Sequence, residues 1–332
     1  MRMGYAKILY MKKLIFFTIF LLLGVHTLFA QNEEIMIIKS GRETFAHFPS
    51  AVIGNSHTLT VFLPEPFIPL KGTYPLAVLL GAGPKQAAEA EAFMQQNKMI
   101  VAAVDFQDGD YADEQTIIRF VTRELLPYLE TNYPVLSGAE NRIIAARGEA
   151  GAKIALALLS VPEAFGGVAL ASPENVWEKI PLPKKSFRAL VTGTQNELAR
   201  AQQALEAAGF TYGTGFALEY ARAESAWFGA LSVKYFFAPQ SEVALTRFSV
   251  QTSDKELPLD SGEEVFVRIL AHLKNGLTYD YVPSALRISP VYLYWDAPRG
   301  SLSVLAGAEA GTVKIRPVVD KPSFSFKIKL KK

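Results

Sequence analysis

Three groups of side chains in this sequence have the types and spacing to do chemistry. Asp105, Asp108 and Asp110 form an acidic loop after an apolar run, the kind of oxygen cluster that attracts a hard divalent cation. Such a cation wants a ring of oxygens with a sharp glycine turn and a distal bidentate Glu, of which Gly109-Asp110 supplies a small part; solvated loop charge accounts for the same residues. Beyond residue 30 the imidazoles are His47, His57 and His272, the side chain best suited to general-base work near neutral pH. As isolated residues they equally suit exposed or capping positions. Tyr292, Tyr294 and Trp295 could offer rings to a carbohydrate, or stand half in a core and half outside it, as aromatic residues on strands do.

Cysteine is absent, which removes thiolate nucleophiles, thiolate metal ligands, disulfides and a lipid-modified cysteine. With 332 residues, 50% apolar and 20% charged, the chain has the makeup of a folded globular protein, long enough for one large domain and a small one. Met11-Lys12-Lys13, an apolar run from Leu14 to Val25 and a small residue at Ala30 read as a secretory leader over residues 1–30. The run is short for a bilayer span, so cleavage is expected rather than anchoring, with no transmembrane segment afterwards. Loss of Arg2, Lys7, Lys12 and Lys13 would turn the formal charge of +2 into −2. Nucleic-acid binding then has no electrostatic support. The tail from Lys327 to Lys332 alternates Lys with Ile and Leu and reads as an exposed edge strand with its charges on one face, rather than a membrane or polyanion contact.

Local spacing gives the elements that must position these groups. Glu34 to Leu63 holds two or three strands, with Thr58–Leu63 alternating cleanly. Leu76–Leu80, Met99–Val104, Arg142–Ala146, Val168–Ala171 and Arg188–Thr192 are short apolar runs of the kind that parallel strands buried on both faces require. Between them fall helical stretches at Gln86–Asn97, Asp113–Tyr133 with a bend expected at Pro127, Gly151–Leu159 and Gln195–Ala208 ending at Gly209. Gly215–Ala221 continues as a strand and Ala226–Phe237 as a helix. Past Pro239 one helix, Gly262–Lys274, is expected, followed by strands at Arg287–Trp295, Ser301–Leu305, Thr312–Val318 and Ser323–Leu330.

The segment Phe48 to Pro64 resembles the opening of the esterase D and enterochelin-esterase group of α/β-hydrolases. Tyr74–Leu80 looks like the strand before that group's oxyanion loop, and Phe120–Tyr133, with its Glu-Leu-Leu-Pro-Tyr, resembles the helix before its nucleophile strand. The likeness runs from Phe48 to Phe237. It implies that Arg142–Ala145 leads into a G-x-S-x-G-G elbow, where a strained turn lifts a serine above the sheet. Here that stretch is Ala146-Arg147-Gly148-Glu149-Ala150-Gly151, so Gly148 occupies the serine position. The loop that should carry the histidine, Ala223-Glu224-Ser225-Ala226-Trp227, has none. At the acid position stands Gln195-Asn196-Glu197, where Glu197 could fill the role or serve as a charge at a helix N-terminus. The oxyanion loop Gly81-Ala82-Gly83-Pro84 is expected to retain backbone donors, and Glu149 is implied to face the oxyanion side.

The expectation is therefore an α/β chain, α/β-hydrolase-like, with a mostly parallel sheet, helices on both faces and a small C-terminal β module. Its divisions are a leader at 1–30, an esterase-like domain at 31–238 and a helix plus β-rich module at 239–332. The expected function is that of a catalytically degenerate esterase-like protein with a binding or scaffolding role in the cell envelope. Ligand contacts are expected from Gly81, Ala82, Gly148, Glu149 and Trp227, and the degenerate catalytic positions are Gly148, Glu197 and Ser225. Alternatives are an esterase-like or glycan-acting hydrolase working through carboxylates such as Glu149 or Glu197, and a surface adhesion or envelope-complex subunit. No cofactor and no metal is expected. The partner is a small molecule, a glycan or an envelope protein, and the protein is exported to the periplasm, the outer surface or the medium.

Overall fold

A computed structural model describes residues 41–54, 57–69, 74–82, 97–106, 109–110, 113–179, 182, 187–221, 232–318 and 322–332. The expected leader, the helix at 86–97 and the loop 223–227 lie outside the described residues, apart from Asn97. The chain divides into two compact units, Met1–Lys39 with Pro66–Pro69, and Ser40–Glu65 with Leu70–Lys332. The elements below all belong to the second.

Apolar runs become buried strands because only a sheet covered on both sides can hide every side chain of such a run. β1 (Arg42–Phe45), β2 (Leu59–Phe62), β3 (Leu76–Leu80), β4 (Ile100–Val104), β5 (Arg142–Arg147), β6 (Gly167–Ala171), β7 (Arg188–Gly193) and β8 (Phe216–Tyr220) run in the order β1-β2-β4-β3-β5-β6-β7-β8. Every residue of β3, β4 and β6 is buried. The strands from β4 through β8 are parallel, while β2 joins β4 and β1 joins β2 antiparallel. Register pairs Leu80 with both Val104 and Ala146, Arg147 with Ala171, and Ala171 with Thr192, so the carboxyl ends of these strands share one edge.

Before β5 come α1 (Glu114–Phe120) and α2 (Leu126–Asn132), joined by a π-helical turn at Val121–Leu125. Pro127 has no N–H to return to residue 123, and the ladder widens immediately ahead of it, which is how the expected bend is absorbed. α3 (Gly148–Ser160) packs its buried Ala152, Ile154, Ala155 and Leu159 against β5 and β6. After β6 come the single turn α4 (Val176–Lys179), then α5 (Gln195–Ala207) behind β7 and α6 (Val233–Phe236) behind β8. Gly209 follows α5 at φ 86°, the left-handed stop that the sequence suggests.

The C-terminal segment corrects one expectation. Residues 262–274 form no helix; β11 (Glu264–Leu273) is a strand in which Val265, Val267, Ile269, Ala271 and Leu273 are buried and their neighbours face outward. Apolar residues here satisfy both periods, and the β-branched Val and Ile together with partners on both sides favour the strand. Asn275-Gly276 is a hairpin turn into β12 (Thr278–Tyr281), with Gly276 at φ 86°. β12 also pairs with β8 at Asp280↔Leu218, so the main sheet continues into β11, β9 (Leu245–Thr252), β15 (Ser301–Val304) and β14 (Leu293–Asp296). Among the described residues this sheet has 13 strands.

A second sheet of 4 strands runs β10 (Glu256–Pro258), β17 (Phe326–Lys331), β16 (Gly311–Pro317), β13 (Leu286–Ser289). The stretch 287–295, expected as a single strand, is split between the two sheets as β13 and β14, with the N–H-less Pro290 between them. In β17, Lys327, Lys329 and Lys331 are exposed while Ile328 and Leu330 are buried, as the alternation requires. The strand is not an edge, however, because β10 and β16 flank it. Gln202 of α5 is buried and its Oε1 accepts the Val282 N–H at 2.7 Å, tying that helix to the end of β12.

Candidate functional site

Six strands deliver loops to one edge of the sheet, and the turn after β5 is the point where a hydrolase would hold its nucleophile. Gly148 stands there at φ 66°, a left-handed conformation that a side-chain-bearing residue adopts only under strain. An ideal Cβ at this position meets nothing within 4 Å, so the turn has space for a side chain and carries none. The first N–H groups of α3 stand behind it with no intrahelical partner, the arrangement that favours negative charge. Glu149 is the next residue, in the first turn of α3.

At the position where the resemblance implies the acid, Glu197 forms a helix cap. Glu197 Oε2 accepts the Thr194 N–H at 2.7 Å and the Thr194 hydroxyl at 2.8 Å, while the Glu197 N–H points to Thr194 Oγ1 at 3.4 Å. Its other oxygen accepts the Glu174 N–H at 3.3 Å. This is a reciprocal capping box for α5, with the carboxylate turned back onto its own helix end. In the stretch expected as the oxyanion loop, the Gly81 N–H donates to Val104 O at 2.8 Å. Ala82 is buried, and Gly83 and Pro84 lie outside the described residues. Ser225, Trp227 and Asp108 lie outside them as well.

Among the described residues no imidazole stands at the elbow strand. His57 precedes β2, where its Nδ1 lies 3.8 Å from Asp105 and 3.9 Å from Asp110, with its ring edge-on to Phe106. Asp105 also accepts the Thr58 N–H at 2.6 Å. This histidine–carboxylate cluster joins two candidate groups that the sequence presented separately. In the sheet order His57 precedes β2, three strands from β5, and Asp105 follows β4, two strands from it. His47 is exposed in the turn after β1. His272 is on β11, with Nε2 2.7 Å from Ser249 Oγ and Nδ1 3.1 Å from Thr278 Oγ1. Burial and the nearby Arg247 hold its pKa below the ordinary histidine value. Both hydroxyl partners project from β-ladder positions on a sheet face, not from a strained turn. No group of three or more His, Cys, Asp and Glu with metal-binding geometry occurs among the described residues.

The aromatic trio separates. Trp295 is buried with its Nε1–H donating to Pro283 O at 2.9 Å, whereas Tyr294 faces outward, 55% exposed. Another aromatic site, not legible as a motif, lies where β8 meets the C-terminal strands: a concavity of about 540 Å³ lined by Tyr220, Phe266, Arg268, Arg299, Gln195 and Gln251 among others. Arg268 is clamped by the buried Asp280 through Nε at 2.5 Å and Nη2 at 3.0 Å, and Asp280 also accepts the Tyr220 N–H at 2.8 Å. The Arg268–Asp280 hydrogen bond raises the Arg268 pKa, and burial, then the charge of Asp280, pushes Glu219 up. The exposed Phe266 was the available signal, concealed by the helical reading of its segment. A groove of about 530 Å³ lies at the opposite edge of the sheet, around Asn141, Gly166 and Arg188.

No family model and no curated protein matches the chain. Solved structures similar to it include a ferulic acid esterase, 18% identical, covering 60% of this chain and 98% of that chain, with a TM-score of 0.48. The enterochelin esterase of Shigella flexneri is 19% identical with a TM-score of 0.46, over 60% of this chain and 57% of that one. The ferulic acid esterase AmCE1/Fae1A of Anaeromyces mucronatus is 15% identical with a TM-score of 0.44, over 63% of this chain and 94% of that one. The chain thus spans little more than half of the Shigella enzyme. With its β1-β2-β4-β3-β5-β6-β7-β8 order, its parallel central strands and its left-handed turn between β5 and α3, the chain has the α/β-hydrolase fold.

Proposed function

We propose that this is an exported α/β-hydrolase-fold protein that performs no serine-dependent acyl transfer and works by binding a ligand or an envelope partner. The observation that carries this reading is the elbow itself: its left-handed geometry is kept at Gly148 while the hydroxyl is absent. A serine attacks only when an imidazole accepts its proton, and His57, His47 and His272 belong to other parts of the fold. Glu197, one of the two alternative carboxylates, is engaged as a helix cap. The leader-like residues 1–30 support export, and no helix among the described residues is long and apolar enough to cross a membrane. Residues 31–238 would supply the hydrolase-type scaffold and 239–332 the added β-rich part.

The test is hydrolysis of p-nitrophenyl acetate and p-nitrophenyl butyrate by the purified protein. The expected rate equals that of buffer, and Gly148→Ser alone leaves it there. Turnover well above buffer that disappears on denaturation would overturn the proposal.

A further inference from the structure

We infer that the concavity between β8 and the C-terminal strands is a binding site for a neutral oligosaccharide. It goes beyond the reading above, since it lies away from the elbow and stands whatever chemistry the elbow performs.

Two rings face open space at this site. Phe266 is 53% exposed and Tyr220 36% exposed, both on the wall of a cavity large enough for a small ligand. An exposed phenylalanine in a polar-rimmed hollow gains free energy only when an apolar surface covers it, and the C–H face of a pyranose is such a surface. Around the rings stand planar polar groups of matching reach, the guanidiniums of Arg268 and Arg299 and the carboxamides of Gln195 and Gln251. Pairs of neighbouring sugar hydroxyls need donors and acceptors side by side, which such planar groups provide.

The charges indicate which sugars. Arg268 is held on Asp280, and Arg299 Nη1 donates to Glu264 at 2.8 Å, so each cation already has its own anion. An anionic ligand would have to compete with both pairs; a neutral one uses the N–H groups they leave over. The clamps also fix the side chains before a ligand arrives, which lowers the entropy cost of binding. Gly300 contributes the close approach on one side, because an ideal Cβ there would stand 3.0 Å from the Gln195 carboxamide nitrogen and φ is 65°. The walls come from five separate stretches of chain, at Gln195, Tyr220, Gln251–Ser253, Phe266–Arg268 and Arg299–Gly300.

Isothermal titration of the purified protein with xylohexaose, cellohexaose, mannohexaose and laminarihexaose tests this, with hexagalacturonate as the anionic comparison. At least one neutral hexasaccharide is expected to bind with a Kd tighter than about 1 mM. That Kd should change less than about twofold between about 50 and 500 mM NaCl, as uncharged contacts do. Phe266→Ala, at an exposed ring, should keep the fold by circular dichroism and weaken binding about tenfold or more. Tyr294→Ala should leave Kd unchanged. Binding of hexagalacturonate alone, no binding of any neutral probe, or equal loss in Phe266→Ala and Tyr294→Ala would each overturn the assignment. Esterase activity, present or absent, has no bearing on these readouts.

Discussion

Glu197 and Thr194 hydrogen-bond to each other at both backbone and side chain, with the Thr194 N–H 2.7 Å from Glu197 Oε2. The carboxylate expected at an acid position is thereby placed on the end of its own helix. Glu197→Ala should lower stability by about 1 kcal/mol, the usual cost of losing such a cap. Glu197→Gln should recover part of that loss, since an amide oxygen can still accept the Thr194 N–H. Chemical denaturation of the two variants measures the difference; an unchanged unfolding midpoint for Glu197→Ala would mean that the cap is idle.

Gly148 makes a separate prediction, because backbone strain and crowding are separable there. With open space around an added Cβ, the cost of a side chain is conformational, about 1–2 kcal/mol for a left-handed L-residue. Gly148→Ala and Gly148→Ser should therefore be destabilised by nearly the same amount. A much larger loss for the bulkier serine would reveal steric contact in place of strain.

Asp280 is 3% exposed and bonds both Arg268 and the Tyr220 N–H. Asp280→Ala leaves the Tyr220 N–H without its acceptor and returns the half-exposed Arg268 guanidinium to water, with an expected cost of about 1–3 kcal/mol. Arg268→Met leaves the buried carboxylate without its cation and should also destabilise strongly. Each single variant removes the same interaction, so the double variant should lose much less than the sum of the two, read by urea unfolding. Additive losses would show that the pair does not act as a unit.

Burial shifts several tyrosines upward. Tyr279 is pushed to about 12 by burial, and Tyr212, Tyr235 and Tyr281 rise for the same first reason. In the unfolded chain these phenols release their protons near pH 10. The folded chain keeps them, so it binds more protons than the unfolded one above that pH, and stability must fall as pH rises. The contribution is complete below about pH 10 and for Tyr279 is lost progressively toward pH 12. Urea midpoints should hold steady through neutral pH and drop beyond about pH 10, with a shallower drop in Tyr279→Phe. A midpoint independent of pH in that range would contradict the burial of these rings.

Local spacing was enough for the described strands β3 to β7. Runs such as Leu76–Leu80 and Arg188–Thr192 are apolar at every position, which only a sheet covered on both faces accommodates, and Thr194-x-x-Glu197 already has the spacing of a capping box. The missing serine and histidine are likewise facts of residue identity. The segment 264–273 was ambiguous, because its apolar residues satisfy periods of both 3.6 and 2, and only pairing with β9 and β12 selects the strand. Nothing local shows that Asp280 reaches Leu218, Tyr220 and Arg268, or that His57 meets Asp105. Those contacts join residues far apart in sequence, and their energy comes from burial and charge pairing that exist only once the sheet has assembled. The hollow around Phe266 is of this kind, a product of which strands become neighbours and not of any motif along the chain.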